Sequence, residues 1–234
     1  MDEEKEQPAA KRQCIDRIKR RMADLEGIQS YVDMHQGIHG KGGALYNILY
    51  KRHLYNVDGL EVVKCLIGDD GDPNESVYGY DDDDTHTPLY MAAAMGHLDI
   101  AKYLKELGAD LRDSVGDTED RESPLFAACH YGHLEMARFL LSADVGADVH
   151  QVTTEANRTP LYAACDNGHL VVAQFLLSDA VGADVHKADE EGRTPLHAAC
   201  EEENLDIVRL LCSVGADVNQ ATRFGVTPLH LASL

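Results

Sequence analysis

The chain has 234 residues, 44% of them hydrophobic and 26% charged, enough to bury a sizeable core, and no apolar run approaches the ~18 residues of a membrane span. Its formal net charge is −20, unevenly spread: residues 1–21 hold seven Lys/Arg against five Asp/Glu, and the remainder holds 14 against 36. So acidic a surface repels phosphate backbones and anionic lipid, which excludes nucleic acid and membrane as partners of most of the chain and favours a basic protein.

The N-terminus, "MDEEKEQPAAKRQ", lacks the apolar core of a secretory signal, so a cytoplasmic protein is expected. Residues 9–35 place Ile15, Ile18, Met22, Leu25, Ile28 and Val32 at steps of three and four, the pattern of an amphipathic helix. That helix either packs on the open end of the domain C-terminal to it or binds a partner. Lys11, Arg12 and the "RIKRR" of 17–21 form a solvated basic face. "PAAKRQCID" also resembles a nuclear import signal, with Cys14 where such a signal has lysine, so nuclear entry is the alternative. "GIHGKGG" (37–43) lacks the G-x-x-x-x-G-K spacing of a phosphate loop and a Ser/Thr after Lys41, and serves as a flexible joint. Residues 1–42 are therefore one segment, and 43–234 another.

From residue 43 onward the chain repeats itself. "TPLYMAAAMGHLDIAKYL" (87–104), "SPLFAACHYGHLEMARFLL" (123–141), "TPLYAACDNGHLVVAQFLL" (159–177), "TPLHAACEEENLDIVRLL" (194–211) and "TPLHLASL" (227–234) succeed one another. Their prolines, Pro88, Pro124, Pro160, Pro195 and Pro228, are 36, 36, 35 and 33 residues apart, a period that marks stacked repeats. Within one unit, Thr159 can cap a helix and Pro160 suits its first turn. Leu161, Ala164 and Cys165 return on one face, and Asn167-Gly168 ends the helix. Leu170, Val171, Ala173, Phe175, Leu176 and Leu177 predict a second, longer apolar helix, and the stretch through Gly192 an extended turn or hairpin. One unit cannot bury both apolar faces, but a stack can.

The connection "DDGDPNESVYGYDDDD" (69–84) carries eight acids and reads as a solvated acidic finger, with Asp81, Asp82, Asp83 and Asp84 a candidate docking surface for a basic partner. A calcium-binding or catalytic role of this loop is the alternative, since Asp70, Asp72, Asn74 and Asp81 fall at positions 1, 3, 5 and 12 of an EF-hand-like loop. Glu75 stands where that loop needs glycine, so no metal or other cofactor is expected. His97, His133 and His169 recur too far apart to share an ion and suit hydrogen bonding at the turn between helices. Cys129, Cys165 and Cys200 share one core slot on neighbouring helices about 8–10 Å apart, which disfavours a disulfide and fits free thiols. Cys129–His130 and Cys165–Asp166 point in different directions from a helix, leaving no catalytic constellation and a non-enzymatic reading.

The pattern T-P-L-H-x-A-A-x-x-G-H-L followed by G-A-D-V-N resembles the ankyrin repeat, and "GRTPLHAACEEENLDIVRLLCSVGADVNQA" (192–221) matches it almost throughout. The resemblance implies an all-α ankyrin-repeat solenoid of helix-turn-helix units joined by hairpin loops, behind the N-terminal amphipathic helix. A degenerate unit spans 44–84, units start near 85, 121, 157 and 192, and a truncated one covers 225–234. Two extra residues precede Gly146 and Gly182, so the second helix there runs on or loops out. Where the family has the histidine of TPLH, three units have Tyr90, Phe126 and Tyr162, predicting loss of its hydrogen bond; His197 and His230 keep it.

The resemblance further implies a concave face lined by the ends of the first helices and by the hairpin tips. Met95, His130, Tyr131, Asp166, Asn167, Glu201 and Glu202 are the candidate contacts, with Met95 and Tyr131 as anchors. It also makes Asn219 a candidate for asparaginyl hydroxylation, with Leu211, Asp217 and Val218 in the matching slots. The expected work is that of a non-catalytic, monomeric scaffold for a protein partner. An ending after one helix of the last unit offers a second alternative, a purely structural fragment of a longer array that associates through its open end.

Overall fold

The computed structural model describes residues 49–50, 59–67, 72–75, 77–78, 85–111 and 121–232. The amphipathic helix, the Gly-rich joint and Asp81–Asp84 lie outside the described residues.

Helix α1 (Gly59–Ile67) leads to a two-residue antiparallel ladder, β1 (Val77–Tyr78) against β2 (Thr85–His86), in which Val77 faces His86 and Tyr78 faces Thr85. Helix pairs come next: α2 (Pro88–Ala94) with α3 (Leu98–Glu106), α4 (Pro124–His130) with α5 (Leu134–Leu140), α6 (Pro160–Asp166) with α7 (Leu170–Leu176), and α8 (Pro195–Glu201) with α9 (Leu205–Ser213). A short α10 (Pro228–Leu231) comes last. The first helices α2, α4, α6, α8 and α10 pack side by side in one row, and α1, α3, α5, α7 and α9 form a second row behind them. The core lies between the rows as one continuous cluster, including Leu89, Leu125, Leu161 and Leu196 from the first helices and Ile100, Met136, Val172 and Ile207 from the second.

Each first helix starts as its Thr/Ser-Pro pair requires. The hydroxyls of Thr87, Ser123 and Thr159 accept from the backbone N–H groups of Tyr90, Phe126 and Tyr162, each at 3.1 Å. The caps are buried, so water cannot replace those bonds. The helices also end alike. The His97 and Gly96 amides donate to Ala92 and Ala93 at 2.8 and 3.3 Å, and the same double closure recurs at His133/Gly132, His169/Gly168 and Asn204/Glu203.

The second helices correct one expectation: α7 has seven residues, no more than α6, and Val171 faces solvent at 58% exposure. The extra residues before Gly146 and Gly182 do not lengthen the helix: α5 and α7 have seven residues, against nine in α3 and α9, which lack the insertion. They form a turn in which Gly146 and Gly182 donate to the carbonyls of Ser142 and Ser178 at 2.8 and 2.9 Å. Beyond it, Ala147 and Ala183 still donate to Leu140 and Leu176 at 3.0 Å, as Ala109 does to Leu104 and Ala216 to Leu211 in the units without the insertion.

Consecutive units are stitched by the recurring histidine. The Nε2–H groups of His97, His133 and His169 donate to the carbonyls of Leu49, Ala94 and His130, all at 2.9 Å, and Asn204 Nδ2 donates to Cys165 at 3.3 Å. The His133 and His169 rings each lie over the glycine of the preceding unit. A Cβ on Gly96 would sit 2.7 Å from His133 Nδ1, and one on Gly132 2.5 Å from His169 Nδ1, while both glycines have positive φ. Glu203 occupies the same slot at φ +55° and is exposed. A side chain is sterically admitted there, at the cost of left-handed backbone strain.

The TPLH slot behaves differently from expectation in one unit. His197 is fully buried; its Nδ1 accepts from the Thr194 amide at 3.1 Å and its Nε2–H donates to Val226 of the next unit at 3.1 Å. Tyr90 does not lose a polar link: its hydroxyl donates to Glu122 Oε2, also in the next unit, at 2.6 Å. Tyr162 instead takes Arg158 over its ring at 5.1 Å.

This packing has two measurable consequences. In urea unfolding, Gly132→Ala should lower stability by roughly 2–3 kcal/mol, while Glu203→Gly should raise it by about 0.5–1 kcal/mol as relief of strain outweighs the looser unfolded chain. Burial, opposed by the Val226 hydrogen bond, holds the His197 imidazole below its ordinary value of 6.5. The unfolded chain therefore binds a proton that the folded chain refuses, and the stability from His197 is complete above about pH 6.5 and is lost as pH falls toward the depressed folded value. Melting temperatures between pH 7 and 5 should fall less steeply in His197→Tyr than in the parent chain.

Candidate functional site

The stitching bond and the double closure fix where each first helix ends, and so align the residues at those ends from unit to unit. The aligned positions are Met95, Tyr131, Asn167 and Glu202, each the capping residue just beyond its helix, preceded by Ala94, His130, Asp166 and Glu201. Ala94 is buried and Met95 is half-buried against the core, so Met95 offers less free surface than Tyr131, which is 49% exposed. His130 and Asp166 are half-buried, and Asn167, Glu201 and Glu202 are exposed.

Three of these side chains form one arrangement. Asn167 Nδ2 donates to the Ala163 carbonyl at 3.0 Å and to His130 Nδ1 at 3.2 Å, which assigns the imidazole proton to Nε2. The His130 ring stacks on Phe126 at 6.2 Å and meets Tyr131 edge-on at 4.7 Å. At the far end, Glu201 is partly compensated, because Arg193 Nη1 lies 3.7 Å from its Oε2. Arg193 is anchored in turn by the buried Asp189, Nε to Oδ2 at 3.0 Å, and approaches Glu191 at 3.4 Å. The strip therefore runs from an aromatic end to an acidic end with one built-in cation.

Sequence reasoning overlooked the residue just before each helix cap. His86, Glu122, Arg158 and Arg193 hold that slot, four residues ahead of Tyr90, Phe126, Tyr162 and His197. His86 stacks on Tyr90 at 4.5 Å, and Arg158 covers Tyr162, whose phenol is pushed up to about 12, chiefly by burial. Aligning the units on the proline would have shown an aromatic or imidazole four residues beyond a charged or imidazole residue in these four units, with Val226 in that slot ahead of His230. The hairpins beside the strip are also joined: Glu190 donates to Ala156 at 3.1 Å, Arg223 to Glu191 at 2.9 Å and the Arg121 amide to Thr154 Oγ1 at 2.7 Å.

Other candidates fall apart from this strip. Cys129 and Cys165 are buried free thiols, pushed well up by that burial, which makes them poor nucleophiles. In the EF-hand-like loop, Asp72 Oδ1 accepts from the Asn74 amide and Asn74 Oδ1 from the Asp110 amide, both at 2.8 Å; Asp70 and Asp81 lie outside the described residues. Among the described residues no group of three or more His, Cys, Asp or Glu is placed to hold a metal ion, and no helix is long and apolar enough to cross a membrane. Asn219 is exposed, its amide bonded to Asp217 Oδ1 at 2.9 Å in a tight turn.

Stacked two-helix units with hairpin connections and an aligned first-helix strip define a repeat scaffold. The family description for ankyrin repeats (three copies) matches residues 52–152, 108–189 and 180–234. The chain belongs to the ankyrin-repeat family. Among curated proteins, none matches it. Ankyrin repeats are generally protein–protein interaction modules, typically without catalysis.

Proposed function

We propose that this chain is a non-catalytic adaptor that holds a basic protein partner along the strip formed by the first-helix ends, with the acidic finger around Asp81, Asp82, Asp83 and Asp84 as a second point of attachment. The observation that carries this reading is the register of Tyr131, Asn167 and Glu202, which repeats one exposed position across three units and changes its chemistry at each. Such a row suits an extended or helical segment lying across the units, with an aromatic anchor at one end and carboxylates at the other.

Charge supports the choice of partner. Beyond residue 21 acids outnumber bases 36 to 14, so a basic protein is drawn in and oriented before contact, and an acidic one is repelled. The scaffold's part is rigidity: a surface already shaped loses little ordering entropy on binding.

The reading is tested with the immobilised chain against a cell extract, compared with Tyr131→Ala/Glu202→Lys and with a variant carrying Asn at 81–84. A partner retained by the parent chain should drop at least about tenfold with the strip variant and weaken as salt rises through a Debye length of about 8 Å. Equal retention by parent and strip variant, with loss on the finger variant, would move the site to the finger. Retention insensitive to salt would rule out a charge-led partner.

A further inference from the structure

Asn167 and Gly168 form the chain's only Asn-Gly pair, and they stand in the middle of the first-helix strip. In the other complete units the residue ahead of the positive-φ position is Met95, Tyr131 or Glu202, none of which carries a side-chain amide. Both Asn167 and Gly168 are exposed, so water reaches them. Gly168 has no side chain to shield its backbone nitrogen. That nitrogen donates to the Cys165 carbonyl at 3.4 Å, a weaker bond than the 2.8 Å one from His169 to Ala164.

An asparagine so placed has one reaction open to it. The Gly168 nitrogen, having given its proton to water or hydroxide, bonds to Asn167 Cγ, and the side-chain nitrogen leaves as ammonia. Water then opens the resulting succinimide ring at either carbonyl, giving aspartate or isoaspartate. Amide and water become carboxylic acid and ammonia, with no oxidant or reductant involved. The fold restrains this step in two ways. Asn167 has ψ 10°, so the Gly168 nitrogen eclipses Asn167's own nitrogen rather than Cβ, and the peptide plane must turn before the ring can close. The side-chain amide is also held: Nδ2 donates to the Ala163 carbonyl at 3.0 Å and to His130 Nδ1 at 3.2 Å. His130 belongs to the preceding unit and is fixed in turn by Phe126 at 6.2 Å and Tyr131 at 4.7 Å. Reaction therefore proceeds through local openings of this helix end, and the His130 bond lowers their population.

We propose that Asn167 is a site of spontaneous deamidation, restrained by its bond to His130, at which a hydrogen-bond donor on the strip is exchanged for a carboxylate. An oxygen in place of Nδ2 gives no hydrogen to Ala163 or His130, so this side-chain link between two units is lost. The row from Tyr131 to Glu202 gains a negative charge at its centre. The chemistry stands or falls separately from the adaptor reading, whose proposed face it alters.

The test holds the folded full chain in water enriched in heavy oxygen, at mildly alkaline pH and well below its melting transition. Tryptic peptide 159–187 is then read by mass spectrometry, and isoaspartate by enzymatic methylation. Heavy oxygen at residue 167 separates reaction in the folded chain from changes during digestion in ordinary water. The parent chain should take it up slowly, with isoaspartate accompanying aspartate. His130→Ala should react about fivefold faster or more, and Tyr131→Ala, which leaves the Asn167 bond in place, should differ from the parent by less than about twofold. His130→Leu keeps bulk over Phe126 but offers no acceptor, and should match His130→Ala. Both His130 variants are expected to fold, because the carbonyl that accepts from His169 is backbone, and thermal melts check this. No heavy oxygen at residue 167 of the folded parent, with uptake by the same chain in urea, would overturn the site. Equal rates in the parent and both His130 variants would overturn the restraint, and aspartate without isoaspartate would overturn the succinimide route.

Discussion

The hydrogen bond from one unit's imidazole to a carbonyl at the end of the previous unit's first helix is the constraint on which this array depends. At Ala94 and His130 it satisfies an acceptor that the helix leaves unpaired, and it sets the distance between neighbouring units. Its geometry at His133 and His169 requires the ring to pass directly over a backbone position, and so requires glycine there. The glycine's left-handed conformation also ends the helix. Helix length, unit spacing and the G-H dipeptide are thus one physical requirement, met at His133 and His169, with Asn204 supplying a longer version of the same bond.

Alignment of the first-helix ends follows from that bond, and function follows from the alignment. Because each end is set by the same closure, the residue just past it arrives at an equivalent place in every unit. The scaffold leaves that residue's side chain to be chosen for contact, and the chain varies it from Met95 to Tyr131, Asn167 and Glu202. The slot before the cap is bound more tightly to the fold. Arg158 and Arg193 pack on or beside buried groups, and Asp189, though charged, is buried because Arg193 compensates it. The surface is consequently acidic overall yet locally structured, with a guanidinium already placed near Glu201 and the Glu122 carboxylate held by the Tyr90 hydroxyl.

Much of this was legible in the sequence. Proline spacing set the period, Thr-Pro the helix start and Asn-Gly its end, because each depends on local backbone chemistry that a residue type announces. The core followed from the same periodicity. What escaped was whatever depends on the neighbouring unit. Val171 counted as apolar and therefore buried, but it faces solvent because the seven-residue α7 turns only Val172, Ala173 and Leu176 inward. Tyr90 was expected to lose a hydrogen bond, but its longer side chain reaches Glu122, 32 residues on. Met95 and Tyr131 looked equivalent as anchors, yet neighbouring packing half-buries the first and leaves the second open. The two-residue insertions gave no sign of which way they would go; a serine carbonyl accepting from Gly146 or Gly182 decides it.

The claim that the first-helix ends hold the partner is tested most directly by carbodiimide labelling of carboxylates, read by mass spectrometry with and without the captured partner bound. Glu201 and Glu202 stand on the proposed face, and Glu135 and Asp206 are exposed on the second-helix row. Protection of Glu201 and Glu202 with unchanged labelling of Glu135 and Asp206 is the predicted result. Protection of Glu135 and Asp206, with Glu201 and Glu202 still reacting freely, would contradict it and place the partner on the opposite row.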